Sequence, residues 1–368
     1  MSVVAGSAAD SLADSAAGSV TGSATDNATG SATGSAAGSA TVSAAGSAAG
    51  SAAVSAIDSA TGSDTPVLHH YNFSPFAEKI RLVFGLKRLH WRSVIAPSVN
   101  PKPDLVALTG GYRHIPVLQI GADVYCDTRA IARELDRRQP SPPLQDDATS
   151  GVAIAIEAWA ERDLFWPIAR YVSGVNAATV DPQLHVDRAS MRGKPTPSAA
   201  RLAAVALRNL ALVRSTLPVV EQLLAHGEPW MLGERPGQAD FAVYHALWFL
   251  SALPIDCAHE LAATPATRAW MARIAAIGHG TCAEMSAADA LALAATCEPG
   301  ALLPTVADDA MPAIGSRISI RPDDYVTAAV EGRLVQLDRD DLAIERVDAK
   351  LGRVMVHFPR IGYTIKEL

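Results

Sequence analysis

The order of secondary structure predicted for residues 66–138 restricts the fold more than any other feature of the sequence. Apolar alternation, helical periodicity and turn residues predict the order β-α-β-α-β-β-α within about 75 residues. The first helix begins at Ser74-Pro75, because serine is a favoured N-cap and proline is favoured at the first helical position. Pro116 opens the third strand, and Asp127 precedes a helix over Thr128–Arg138. These signals predict one compact α/β domain that ends at the Pro-rich segment 139–143.

Changes in composition divide the rest of the chain. Residues 1–65 contain no Lys, Arg or aromatic residue and repeat Ser, Ala, Gly and Thr, which predicts a disordered tail with nothing to bury. Residues 148–298 show the Ala/Leu-rich periodicity of an all-helical domain. The predicted helices are Ser150–Tyr171, Ser198–Ala225, Gln238–Leu250, Ala266–Ala276 and Ala283–Ala295, with a loop at 174–197. Alternating apolar residues within 310–368 predict a small β-meander extension.

Charge excludes several classes of function. The chain has 31 Lys and Arg against 38 Asp and Glu, a net charge of −7, and five of the acidic residues lie in the tail. The remaining residues are therefore almost neutral, which argues against binding nucleic acid or an anionic membrane surface. Apolar runs are interrupted by charges or proline before about 18 residues, and the N-terminus has no secretory signal pattern. We expect a cytoplasmic protein without a transmembrane helix.

Four motifs follow one another, in a specific order and spacing, along residues 66–297. They are YNFSPFA at 71–77, HIPVL at 114–118, DT at 127–128 and PGQADF at 236–241. In this order, with the all-helical region after them, they resemble a cytosolic glutathione transferase. The resemblance implies a thioredoxin-like domain at 66–147, a helical domain at 148–298, glutathione as co-substrate and a homodimer. Gly237 departs from the pattern, since the family has Ser or Thr there. The extension resembles one found on some bacterial members.

Ser74 lies where the family places the residue that activates the thiol of glutathione. A free thiol of this kind has a pKa of about 8.5, and a hydroxyl that donates to the sulfur, together with the positive end of a helix, favours the thiolate. The alternative is that Ser74 is only an N-cap. Tyr71 is a reserve donor. Residues 74–77 contain no cysteine, which excludes dithiol exchange at this site.

Four consecutive residues, Arg113, His114, Ile115 and Pro116, are implied by the resemblance to contact glutathione. Pro116 resembles the cis-proline of the family, and a cis bond would turn the backbone of Ile115 outward to pair with an extended peptide. The alternative is a trans proline at a strand start. Arg113 and His114 precede Ile115, where the family often has a cation near the carboxylates of glutathione. Arg113 is equally well explained as a solvated loop charge.

Asp127 and Thr128 lie at a helix start, where the family has an acid followed by Ser or Thr. The Thr128 hydroxyl and free backbone N–H groups are expected to bind the γ-glutamyl carboxylate, and Asp127 the ammonium group. The alternative for Asp127 is an ordinary N-cap. No metal site is expected, because no set of residues has metal-ligand spacing.

The predicted function is glutathione transfer to small electrophilic molecules, with Ser74 as the catalytic residue. The alternatives are a non-catalytic scaffold or binding module with this fold, and a glutathione-dependent isomerase or dehalogenase at the same site. The aromatic residues of the first long helix of the second domain are interpreted as core, although the family has its electrophile pocket beside this helix. They are Trp159, Phe165, Trp166 and Tyr171.

Overall fold

A computed structural model of the chain describes residues 62–324 and 328–368. Apart from its last four residues, the tail predicted at 1–65 lies outside the described residues.

The N-terminal part has the predicted element order. Its elements are β1 (Val67–His70), α1 (Pro75–Leu86), β2 (His90–Ile95), α2 (Pro103–Thr109), β3 (Val117–Ile120), β4 (Asp123–Cys126) and α3 (Thr128–Arg138). Strand β1 pairs in parallel with β2 and antiparallel with β3, and β3 and β4 form an antiparallel hairpin. This arrangement confirms the thioredoxin-like fold predicted from the sequence.

A helical region follows. It contains α4 (Ser150–Trp159), a π-helical turn (Ala160–Leu164), α5 (Phe165–Val175), α6 (Pro182–Met191), α7 (Ala199–Leu223), α8 (Gln238–Trp248) and α9 (Pro265–Ala275). Helix α7 has the length and mean hydropathy of a membrane-spanning segment, the one helix among the described residues to do so. In this structure it packs along α5. It also carries three arginines, so it is not apolar throughout.

Two predictions in the helical region were wrong. The segment 174–197 is not all loop, because α6 begins where the Asp181 carboxylate accepts the Gln183 N–H at 2.9 Å. The Ala-rich segment predicted as the helix Ala283–Ala295 begins as a strand, β5 (Thr281–Glu284), which pairs in parallel with β2. Helix α10 (Ala287–Thr296) starts only after β5. Only the first two residues of the predicted helix, Ala283 and Glu284, belong to this strand, and there pairing with the open edge of β2 outweighs helix propensity.

The C-terminal extension is a meander, as predicted, but it is fused to the N-terminal sheet. Its strands are β6 (Arg317–Pro322), β7 (Val330–Leu337), β8 (Asp341–Asp348), β9 (Gly352–Pro359) and β10 (Tyr363–Glu367). The sequence did not indicate β10, which returns beside β6. Strand β9 pairs in parallel with β4, so that one ten-stranded sheet runs in the order β10-β6-β7-β8-β9-β4-β3-β1-β2-β5. Val124, Val356 and Phe358 belong to one shared core beneath this junction.

Packing explains the departure at Gly237. A Cβ at this position would lie 2.7 Å from the carbonyl oxygen of Leu144, so the serine or threonine of the family pattern does not fit without a shift. The Asp240 carboxylate supplies the cap instead, accepting from the Gly237 N–H at 3.0 Å. It also accepts from the Met231 N–H and from the Trp270 indole. Asp240 therefore keeps a structural role at the start of α8.

Candidate functional site

Ser74 is a helix cap whose hydroxyl hydrogen remains available. The Oγ accepts the Ala77 N–H at 3.2 Å, and the Ser74 N–H donates to the Tyr71 carbonyl at 3.1 Å. Only 2% of Ser74 is exposed, and the side chain lines a cavity of about 450 Å³. Because the cap uses the oxygen as an acceptor, the hydroxyl can still donate a hydrogen bond into this cavity.

This larger cavity combines aromatic walls with positive charge. Phe76, Phe165, Trp166 and Phe249 line it, so Phe165 and Trp166 face a cavity as well as packing on the core. Seven Lys and Arg side chains line it, and none of the described lining residues is Asp or Glu. They are Lys102, Arg113, Arg170, Arg188, Arg192, Lys194 and Arg201.

Lys102 is a buried cation that the sequence analysis did not single out. It lies at the start of α2 and is 5% exposed. Within the described residues its ammonium group has no hydrogen-bond or ion-pair partner, and it lies 5.8 Å from the centre of the Tyr71 ring. Burial, with the charge of Arg188 second, lowers the pKa of Lys102 to about 8. A basic residue at the start of a helix interacts unfavourably with the helix dipole. The position of Lys102 was therefore an unusual feature that could have been noticed in the sequence.

Arg113 is not a solvated loop charge. Its guanidinium group donates to Asp187 Oδ1 on α6 at 2.7 Å, and Arg188 contacts the other oxygen of the same carboxylate at 2.5 Å. His114 contacts Asp324 of the extension at 3.1 Å. Both residues line the larger cavity. The single negative charge of Asp187 thus offsets only one of the two positive charges of Arg113 and Arg188.

A second cavity of about 210 Å³ adjoins the first, and the four other predicted glutathione contacts line it. These are Ile115, Pro116, Asp127 and Thr128, and the Ile115–Pro116 bond is cis. His114, Ile115, Phe76 and Trp166 line both cavities. The structure therefore brings all seven predicted site residues to one groove.

The extension forms part of this second cavity. Tyr363 donates to Asp127 Oδ2 at 3.2 Å, and its oxygen lies 3.0 Å from the Tyr112 hydroxyl. Burial and the nearby Asp127 charge raise the pKa of both tyrosines well above the usual value, so both remain hydrogen-bond donors. Asp324 also lines the cavity. No sequence signal indicates these contacts, because they join residues more than two hundred positions apart.

Asp127 holds an uncommon backbone conformation. Its φ of 80° lies in the left-handed region, which is costly for a residue other than glycine. The carboxylate caps α3 by accepting the Arg129 N–H at 2.9 Å. The cap and the Tyr363 hydroxyl use different oxygens, so the carboxylate is fixed in orientation at the cavity wall.

A buried ionic network supports the Thr128 side of the cavity. Lys79 is 0% exposed and donates to Glu157 at 2.5 Å, to Glu161 at 2.9 Å and to Thr128 Oγ1 at 3.3 Å. Arg129 contacts Glu161 at 3.0 Å. Burial acts to lower the pKa of Lys79, but the charges of Glu157 and Glu161 outweigh it and raise the pKa. The ammonium group therefore stays charged.

The two carboxylates of this network respond differently to burial. Burial acts to raise the pKa of Glu157, but Lys79 and Arg129 outweigh it and hold the pKa well below its usual range. The pKa of Glu161, which lines the cavity, is raised by burial. Within the described part of the chain, no cluster of His, Cys, Asp or Glu is arranged to hold a metal ion.

Comparison with known proteins agrees with this architecture. The model of the N-terminal domain of glutathione S-transferase matches residues 68–143, and the model of the C-terminal domain matches residues 180–277. A solved structure of a GST-like protein from Pseudomonas syringae is 35% identical, with a TM-score of 0.68. The match covers 83% of this chain and all of that one.

A curated protein, FtsZ-localized protein A of Caulobacter vibrioides, is 29% identical over 188 residues. That match covers 48% of this chain and 72% of the relative. The two domain models and the full-length likeness to the Pseudomonas syringae protein show that the chain belongs to the glutathione S-transferase family.

Proposed function

We propose that the chain is a glutathione transferase that conjugates the thiolate of glutathione to small electrophilic molecules. The observation that carries the proposal is the position of the Ser74 hydroxyl, at the start of α1, in the wall of a cavity that adjoins the Asp127 cavity. The positive end of α1 and the hydroxyl together favour an anionic sulfur. Holding the thiolate beside a bound electrophile supplies much of the rate gain.

Charge sets the direction in which glutathione lies. Its γ-glutamyl ammonium group binds Asp127 in the smaller cavity, and the neighbouring carboxylate binds Thr128 and the start of α3. The cysteinyl backbone pairs with Ile115. The glycine carboxylate binds Lys102, whose buried charge has no acidic partner among the described residues, with Arg113 nearby. His114, held by Asp324, closes the space between the two ends.

Replacement of Ser74 by alanine tests the catalytic role. Ser74→Ala is expected to lower kcat with a model chloronitroarene about 100-fold, as the loss of one donor to a developing anion does elsewhere, with little change in the Kd for glutathione. The cost to stability is about 1 kcal/mol, because the cap of α1 is lost. The measurements are steady-state kinetics and titration calorimetry.

Ser286→Ala is the matched control. Ser286 caps α10 in the same way, accepting the Asp289 N–H at 3.1 Å, but does not line either cavity. It is expected to lose the cap and keep the activity. Equal activity of Ser74→Ala and the parent would remove Ser74 from its role. A parent that does not bind glutathione at millimolar concentration would remove the function itself.

A second candidate is a non-catalytic binding module, which the likeness to FtsZ-localized protein A favours. On this alternative the chain associates with FtsZ and glutathione does not bind. Co-sedimentation of the purified chain with bacterial FtsZ polymers tests it. Pelleting together with absent glutathione binding supports the alternative, and glutathione binding with no pelleting supports the transferase.

The remaining parts of the proposal concern assembly and location. We propose a homodimer in the cytoplasm, without a metal ion and without nucleic-acid or membrane partners. Exposed apolar side chains on α7, such as Leu207 and Leu212, provide surface that a second copy can cover. Analytical ultracentrifugation tests this part, since a monomer at micromolar concentration contradicts it.

A further inference from the structure

Three lysine side chains are buried in the described part of the chain, and one of them differs from the other two. Lys79 is 0% exposed, Lys87 1% and Lys102 5%. Lys79 forms an ion pair with Glu157, and Lys87 forms one with Asp136. Lys102 has no ion pair or hydrogen bond of its ammonium group with any described residue. A buried ammonium group without a counter-ion is costly, and burial then favours the neutral amine.

The groups around Lys102 also favour the neutral amine. The charged groups that act on it are Arg188 and Asp187 of α6 and Arg113 before β3, and its ammonium group lies 5.8 Å from the centre of the Tyr71 ring. Asp187 already contacts both arginines, at 2.7 and 2.5 Å. Burial, followed by the charge of Arg188, lowers the pKa of Lys102 to about 8. About a tenth of the side chain is therefore uncharged at pH 7.

The position of Lys102 gives this amine room to react. It lines the larger cavity of about 450 Å³, together with the rings of Phe165 and Phe249. An apolar cavity of this size accommodates an aromatic molecule beside the amine. A desolvated lysine next to other cations is a recurring form of amine nucleophile, and such lysines form Schiff bases with carbonyl compounds.

We infer that Lys102 is a second nucleophile of this groove, which forms an imine with aldehydes that have an apolar, preferably aromatic, body. The amine nitrogen bonds to the aldehyde carbon, and the carbonyl oxygen becomes a hydroxyl group. Water then leaves as the C=N bond forms, and it contains the carbonyl oxygen and the two protons of the amine. The reaction needs no oxidant or reductant. It does not involve Ser74 and does not require the proposed transferase function.

Reductive trapping tests the inference. The chain is incubated at pH 7 with benzaldehyde and sodium cyanoborohydride, whose hydride adds to the imine carbon while a proton from water goes to the nitrogen. Peptide mass spectrometry then gives the labelling rate of each lysine. Lys102 is expected to be labelled at least about tenfold faster than the exposed Lys350, because its lowered pKa leaves more neutral amine than an ordinary lysine has. Equal or slower labelling of Lys102 overturns the inference.

A second aldehyde tests the contribution of the aromatic walls. Glycolaldehyde replaces benzaldehyde, and the ratio of Lys102 to Lys350 labelling cancels the intrinsic reactivity of each aldehyde. The ratio is expected to be at least about tenfold higher with benzaldehyde, since only its ring is buried against Phe165 and Phe249. Equal ratios for the two aldehydes overturn the assignment of the larger cavity as the aldehyde site.

Protection by S-methylglutathione separates this inference from the proposed function. If the glycine carboxylate binds Lys102 as proposed, a saturating concentration of the analogue slows the labelling of Lys102 and leaves that of Lys350 unchanged. Fast labelling of Lys102 that the analogue does not slow supports the imine and contradicts the proposed contact with glutathione. Slow labelling of Lys102 without the analogue overturns the imine, whether or not glutathione binds.

Discussion

The two cavities of the groove have opposite charge. Asp127, Glu161 and Asp324 line the smaller one, whereas the larger one has seven basic side chains and, among its described lining residues, no acidic one. They meet at His114 and Ile115, which line both. If the proposed function holds, we expect a peptide with an ammonium group at one end and a carboxylate at the other to bind in one direction only, set by charge rather than by shape alone.

The cavities also differ in how they are held. The acidic one is built from three distant parts of the chain, because Glu161 comes from the helical region and Tyr363 from the extension. Its charged groups are paired, with Lys79 and Arg129 at its base. The basic cavity keeps Lys102 buried without an acidic partner in the described residues. The acidic groups of the smaller cavity are therefore fixed by neighbouring side chains, whereas the Lys102 ammonium group in the larger one has no acidic partner among the described residues.

Among these predictions, the largest effect is expected on stability, when the Lys79 ammonium group beneath the smaller cavity is removed. Lys79→Met leaves Glu157 and Glu161 with Arg129 alone, and breaking a buried ion pair in this way costs about 3 kcal/mol of the free energy of unfolding. Urea denaturation at pH 7 measures it. Lys350→Met, at an exposed lysine, is the control and is expected to cost nothing measurable.

The stability difference between the parent and Lys79→Met is predicted to depend on pH. The pKa of Glu157 is lowered in the folded chain, so its contribution to stability is present above the unfolded pKa of about 4.3 and is lost as the pH falls below it. Lys79→Met removes the principal cause of that shift. The stability difference between parent and variant should therefore shrink on acidification from pH 7 to pH 3. A constant or growing difference would show that the network does not act through charge.

The buried Lys102 side chain in the larger cavity predicts how the affinity for a glutathione analogue depends on pH. Because the pKa of Lys102 is lowered to about 8, the amine is charged below pH 8 and becomes neutral above it. The affinity for S-methylglutathione, which has no titrating thiol, should fall about tenfold between pH 7 and pH 9 as the charge that binds the carboxylate is lost. Lys102→Arg stays charged throughout and should flatten this profile. Parallel profiles for parent and variant would exclude Lys102 as the titrating group.

The smallest effect is expected on glutathione binding, from a substitution in the C-terminal extension. Tyr363→Phe removes the hydroxyl that fixes Asp127 and should weaken glutathione binding about fivefold, the value of one hydrogen bond. A glutathione analogue without the γ-glutamyl amino group serves as the control ligand. Its Kd should not change, since the ammonium group that Asp127 binds is missing. Equal weakening of both ligands would mean that Tyr363 acts only on folding.

Local sequence signals predicted the helix starts that form this site. The rest of the site depends on contacts between residues far apart in the chain. Ser74-Pro75 and the start of α3 at Thr128 could be predicted because capping residues are local signals. The strand β5 was missed because its four residues, Thr281–Glu284, carry no clear strand pattern and their strand state depends on pairing with the edge of β2. Lys79 and Tyr363 could not be predicted, because their partners lie far along the chain. The position of Lys102 at a helix start was visible in the sequence, but its burial without an acidic partner was not.

The pKa of the glutathione thiol in the complex is the most direct test of the account. Ultraviolet absorbance of the thiolate, followed as a function of pH, gives this pKa for the parent chain and for Ser74→Ala. The account predicts a value at least about one unit below the 8.5 of a free thiol in the parent, and a return toward 8.5 in the variant. A bound thiol that titrates like free glutathione, or a lowered pKa that Ser74→Ala leaves unchanged, would contradict it.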